Sequence, residues 1–207
     1  MDAPPAAGSI APMTSPRTLL LLAAALTAGC ATARKPASPS AAQAPVQHAN
    51  SAAARKAIDA ARSLAGQKEI VLNGVSYGDG CSALVVAAYQ QAGRNLAAGA
   101  HDVKSLHALA RSERSLRKGQ PAPGDLVFLS DRPGGQPEHV GLVERVGEGG
   151  TVTVLHRTAR GVSRMHVNGL QPWKARGDDG RILNDVLVVG GGRVPAGRLL
   201  VAYATLL

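Results

Sequence analysis

Aromatic side chains are almost missing from this 207-residue chain, which has one Phe, one Trp and three Tyr. Any core must therefore be built from Ala, Val and Leu. Dense basic runs are also missing: the formal charge is +9, yet Arg and Lys recur singly. The lack of clustered cations and interleaved aromatics argues against a dedicated nucleic-acid groove. Attraction to an anionic surface such as lipid headgroups or cell-wall polymer is still compatible with that charge. The length suits one globular domain and is too short for two of ordinary size. Cysteine occurs twice, at Cys30 and Cys81. The two could pair, but each has a separate explanation.

The amino terminus carries the first. Arg17 is followed by Thr18 to Leu26 (TLLLLAAAL), the basic n-region and short apolar h-region of a secretory signal. The run is too short to span a bilayer. It ends in Leu26-Thr27-Ala28-Gly29-Cys30, which resembles a bacterial lipoprotein signal, with Cys30 as the lipidated residue. Met13 opens a signal of ordinary length, so residues 1–12 read as lying before the true start. Residues 1–29 are thus expected to be a signal peptide. Residues 30–50, rich in Ala, Pro, Ser and Gln, read as a lipid-anchored disordered tether, and residues 51–207 as the folded domain. Ala31 lacks the Asp that would suggest inner-membrane retention, so the outer membrane, facing the periplasm, is expected.

The domain opens with an amphipathic helix over Ser51 to Gly66. Asn73-Gly74 between short β-prone runs predicts a hairpin. It leads into Tyr77-Gly78-Asp79-Gly80-Cys81-Ser82 and an apolar helix ending at Gly93. Cys81 is placed in the first turn of that helix, where unpaired N–H groups and the dipole favour a thiolate. A short helix over Asp102 to Arg111 has an Asp cap, and His107 reads as a residue of its face. Pro123-Gly124-Asp125 then launches an apolar strand, followed by strands over His139 to Val146, Thr151 to Arg157 and Gly161 to Asn168. Late strands are expected over Arg181 to Val189 and Arg198 to Leu206. The triple glycine at Gly190 precedes no helical pattern, which leaves nucleotide binding unsupported. No metal site or cofactor is called for.

Parity relates the histidines. If Gly147 to Gly150 form the turn, Val146 faces Thr151 and His156 lies opposite Gly141, so His139 and His156 share a face as diagonal neighbours. The next turn pairs His156 with Ser163 and sends His166 to the other face. Two converging histidines and a cysteine at a helix start give a Cys-His-polar arrangement: Cys81 the nucleophile, His139 its base, His156 the residue that holds the imidazole.

Cys81-Ser-Ala-Leu-Val85, Pro123-Gly-Asp-Leu-Val-Phe128 and His139-Val-Gly-Leu-Val143 resemble, in that order, the signature blocks of the NlpC-type cell-wall peptidases and their CHAP relatives. The likeness covers about residues 52–168. It implies an α+β, papain-like fold with helices packed on a small antiparallel sheet. It also implies a cysteine peptidase or amidase that cleaves amide bonds in peptidoglycan, and it maps Cys81, His139 and His156 onto a Cys-His-His triad. Tyr77 and Ser82 are candidates for substrate or oxyanion contact. The family's usual Asp before the cysteine and Gly two places after it are Gly80 and Ala83 here, with Asp79 one place back. An inactive lipoprotein of the same fold that binds cell wall or a partner enzyme is the alternative. The expected partners are peptidoglycan and, through Cys30, the membrane, with the chain acting as a monomer.

Overall fold

The structure, a computed structural model, describes residues 51–96 and 100–207. The expected signal peptide, Cys30 and the tether lie outside the described residues. Helix α1 spans Ala52–Ser63, and the Ser51 hydroxyl caps it by accepting from the Ala54 N–H at 3.0 Å. Strands β1 (Val71–Leu72) and β2 (Val75–Ser76) form the expected hairpin. Its turn residues, Asn73 and Gly74, have φ of 51° and 76°, as a two-residue type I′ turn requires. Helix α2 (Ala83–Gln91) is buried on every face from Ala83 to Tyr89, which matches its lack of polar residues. Helix α3 (Val103–Ser112) starts with a capping box in which Asp102 and Ser105 satisfy each other's backbone N–H groups.

Six strands make the main sheet: β3 (Leu116–Arg117), β4 (Leu126–Ser130), β5 (Pro137–Val146), β6 (Val152–Thr158), β7 (Gly161–Val167) and β10 (Leu200–Ala204). Their spatial order is β3-β10-β4-β5-β6-β7, antiparallel throughout. One face of the sheet (Leu126, Phe128, Val140, Leu142, Leu155) packs on the helices through residues such as Leu84 and Tyr89. The other face (Val127, Val143, Val154, Met165) packs on Leu199 and Tyr203 and on the separate hairpin of β8 (Val186–Val189) and β9 (Gly192–Pro195). This is the expected α+β, papain-like fold. The free edge of β7 is covered by the end of α1: Gly66 N–H donates to the Val162 carbonyl and Val162 N–H to the Gln67 carbonyl.

Three expectations are corrected. The strand expected over 181–189 begins only at Val186. Gly190 and Gly191, with φ of 58° and 79°, make the turn to a strand β9 that the sequence pattern did not suggest. Strand β3 was not foreseen either, since two residues carry no alternation.

The Pro123-Gly124-Asp125 block is where three layers meet. Gly124 has φ +92°, and a Cβ there would lie 2.7 Å from the Ala54 Cβ of α1. Its carbonyl accepts from the buried Tyr89 hydroxyl of α2 at 2.7 Å. The Asp125 carboxylate, 1% exposed, accepts from Ala122 N–H, from the Thr205 hydroxyl beyond β10 and from the Arg117 guanidinium of β3. Burial pushes its carboxyl up, and those donors pull it down.

Register on β5 sets the rest. The loop from β5 to β6 runs from Gly147 to Thr151, one residue longer than the four-residue turn expected. A bulge between Val143 and Arg145 inserts one extra residue on β5. The two changes cancel, so Gly141 still faces His156 and Leu142 faces Leu155. The bulge lies at Glu144, whose buried carboxylate takes Arg62 of α1 at 2.7 Å and Arg164 of β7 at 2.7 and 2.9 Å. Bonds from Arg164 and Arg62 pull its carboxyl down to about 2.

Because that pKa is depressed from 4.5, its contribution to stability is present above pH 4.5 and is lost as pH falls towards about 2. Glu144→Gln is expected to cost roughly 1–3 kcal/mol at neutral pH and to flatten the acid side of a Tm-against-pH curve. A Cβ at Gly141 would lie 2.5 Å from Val154 Cγ1, 2.8 Å from the Leu155 carbonyl oxygen and 3.2 Å from His156 Cβ. Gly141→Ala is therefore expected to lose about 1–3 kcal/mol in a denaturant titration through overpacking.

Candidate active site

Cys81 precedes α2 rather than lying inside its first turn. The N-cap is Ser82, and Ala83 N–H closes a turn onto the Gly80 carbonyl at 3.1 Å. The thiol, half-buried, sits on the backbone of β5: Sγ is 3.9 Å from the Glu138 carbonyl oxygen, and the Val140 N–H points at the sulfur. These groups flank His139. They are free to meet the thiol because β6 pairs with β5 only from Gly141 onward. Ending one strand pairing thus opens a slot on the strand that carries His139.

The expected effect of the helix start on the thiol is reversed in sign. The N–H groups of Val140, Cys81 and Ser82 and the charge of Arg157 do favour a thiolate, but burial outweighs them and pushes the thiol up. Burial, with the neighbouring His156, pushes His139 down to about 4. Burial thus favours the neutral form of both the thiol and the imidazole.

The two histidines meet as register places them. His139 Nε2 and His156 Nδ1 are 2.9 Å apart, with the rings perpendicular and their centroids 5.2 Å apart. Nε2 of His139 is engaged there, and Nδ1 is its other ring nitrogen. His156, 8% exposed, places its other nitrogen, Nε2, 3.2 Å from Ser163 Oγ across the β6–β7 pairing. Ser163 was legible as a cross-strand neighbour but not as a polar partner. His166 faces Thr153 on β6 and lies 3.4 Å from Asp185. His107 sets its ring edge-on to Phe128, 5.1 Å between centroids.

The remaining candidates are Ser82 and Tyr77. The Ser82 hydroxyl donates to the His101 carbonyl at 2.8 Å, which leaves the Ser82 N–H as its group nearest the sulfur. Tyr77 lines a cavity of about 320 Å³ with Val75, Ala83, Val86, Gln90 and His101. The methyl of Ala83 is accommodated at the margin of that cavity. A Cβ at Gly80 would meet nothing closer than Ser82 Oγ at 3.6 Å, so neither departure from the usual motif strains the backbone. Sequence reasoning missed Arg157, which donates to the Lys68 carbonyl at 3.0 Å and whose charge is felt at Cys81. Among the described residues no group of three or more His, Cys, Asp or Glu side chains is placed to hold a metal ion.

The arrangement is a half-buried thiol against the backbone of β5, an imidazole on that strand and a second imidazole, on β6, in contact with the first. The comparisons give it a family. The model of the NlpC/P60 family matches residues 67–177. Among solved structures, an NlpC/P60 family protein from Bacillus cereus ATCC 10987 is 19% identical, with 76% of this chain and 41% of that one covered at a TM-score of 0.46. A protein similar to lipoprotein, of the NLP/P60 family, from Staphylococcus aureus subsp. aureus Mu50 is 18% identical, with 59% and 39% covered at 0.39. The chain spans less than half the length of either. No curated protein matches it. The family model takes in the thiol, both histidines and all the strands that carry them, over more than half of the sequence, and the chain belongs to the NlpC/P60 family.

Proposed function

We propose that the chain is a cysteine hydrolase of the bacterial cell envelope that cleaves amide bonds in peptidoglycan peptides, with Cys81, His139 and His156 as its catalytic residues. The observation that carries this reading is the juxtaposition of the Cys81 thiol with the backbone on both sides of His139, while His156 holds His139 at 2.9 Å. An inert cysteine has no need of a strand that carries one histidine in contact with a second.

In this reading His139 Nδ1 takes the thiol proton as Sγ attacks the acyl carbon. The carbonyl oxygen becomes an oxyanion, and the N–H groups of Cys81 and Ser82 are the donors beside it. His139 returns the proton to the leaving amine as the C–N bond breaks, leaving a thioester on Cys81. Water, deprotonated by His139, then cleaves the thioester and restores the thiol. The neutral resting pair suits this order, because the base must be unprotonated before it can act. Of the family's bonds, a histidine in the third position favours the one between D-glutamate and the diamino acid. The cavity beside Tyr77 and Ala83 is where a stem-peptide side chain would sit. We further propose that Cys30 bears the lipid, which would hold the domain at a membrane through residues 31–50 and place it in the periplasm on the outer membrane.

Purified chain is expected to release muropeptides from sacculi, Cys81→Ala none, and His139→Ala at least about a hundredfold less. The acid limb of the kcat/KM profile should follow His139 to near pH 4, well below the ordinary histidine range. Absent release from the unaltered chain would leave the inactive, wall-binding lipoprotein as the better reading, and release that persists in Cys81→Ala would remove Cys81 as the nucleophile. Separately, Cys30→Ala is expected to move the chain from the membrane fraction to the soluble fraction; unchanged membrane partition would remove the anchor.

A further inference from the structure

We propose that Ser163 is a positioning residue of this site: its hydroxyl oxygen accepts a hydrogen bond from His156 Nε2–H and thereby fixes the direction of the hydrogen-bond chain that leaves His139 Nδ1 open to the Cys81 thiol. The inference rests on the catalytic reading of His139.

The argument is one of proton bookkeeping. A neutral imidazole carries one proton on two nitrogens. For His139 to accept the thiol proton at Nδ1, its own proton must be on Nε2. That proton then points along the 2.9 Å contact to His156 Nδ1, which must accept it. His156 accepting at Nδ1 must carry its proton on Nε2, and the partner of Nε2 is Ser163 Oγ at 3.2 Å. The opposite direction has Ser163 donating to Nε2, His156 Nδ1–H donating to His139 Nε2, and a proton on His139 Nδ1 facing the sulfur. In that state His139 cannot act as a base. Once His139 has taken the thiol proton, both of its nitrogens are donors, and the first direction is the only one possible. The hydroxyl of Ser163 therefore terminates the productive chain.

The surroundings favour that role. Ser163 is exposed, so its own O–H has water to donate to while its oxygen accepts from the buried His156. It also lines an open cavity with Thr158, Ala159 and Arg160, which gives that water room. The charged neighbours of the chain are Asp185, whose negative charge is felt at His156, and Arg157, whose positive charge is felt at Cys81. Neither is a hydrogen-bond partner of the two imidazoles, so direction is left to the serine.

The test uses the full chain and needs no substrate. Long-range ¹H–¹⁵N NMR couplings report which nitrogen of His156 carries the proton. Alkylation of Cys81 by iodoacetamide, followed at the Cys81 peptide by mass spectrometry, reports how readily the thiol proton is removed. In the unaltered chain His156 is expected to be protonated at Nε2. Ser163→Ala is expected to lose that preference and to slow alkylation at pH 7 by about three- to tenfold, the worth of one hydrogen bond. Ser163→Thr should restore both, and Ser163→Asp, which can only accept, should hold the Nε2–H form. A proton on Nδ1 of His156 in the unaltered chain, or a Ser163→Ala chain with unchanged tautomer and alkylation rate, would overturn the proposal. Failure of the hydrolase reading would show separately, as absent muropeptide release from a chain whose imidazoles still answer to Ser163.

Discussion

The pairing of β5 with β6 is the constraint on which the rest of this structure depends. It begins at Gly141 and slips by one residue at Glu144. Where it has not yet begun, the backbone on either side of His139 is free to receive the Cys81 thiol. Where it has begun, the first facing pair is Gly141 and His156, so the second imidazole enters over a residue with no side chain. Where it slips, Glu144 meets Arg62 and Arg164 and ties the first helix to the strands. One ladder thus sets the gap for the thiol, the contact between the histidines and the attachment of α1.

Burial is the second determinant, and it acts against ionisation. It pushes the thiol up against the nearby N–H groups and Arg157, and it pushes both imidazoles down, His156 against the charge of Asp185. In the proposed mechanism, proton transfer is made at the moment of attack instead of being stored as an ion pair. The direction of the imidazole chain then matters more than the resting charge of any member.

Much of this was legible in the chain. The Asn73-Gly74 turn, the Asp102 cap and the apolar run of α2 from Ala83 follow from local rules and stand where those rules put them. The placement of His156 opposite Gly141 also follows from parity, but by two departures that offset each other, a longer loop and a bulge. Parity counting cannot see either, because a bulge is chosen by long-range contacts such as those of Glu144. The Pro-Gly-Asp block was legible as a signature but not as a junction. The partners of Asp125 come from Arg117 and Thr205, 8 and 80 residues away, and no periodicity announces them. Strand β3 escaped for the same reason, being short with a distant partner in β10, whereas β9 is short but pairs with β8 just across the Gly190-Gly191 turn.

The most direct measurement of the central claim is intact-protein and peptide mass spectrometry after acid quenching of the chain with a peptidoglycan stem peptide. A thioester carrying the acyl half of the substrate, mapped to Cys81 and lost in Cys81→Ala, is the predicted result. Turnover with the acyl group on another residue, or with no covalent intermediate during rapid release, would contradict it.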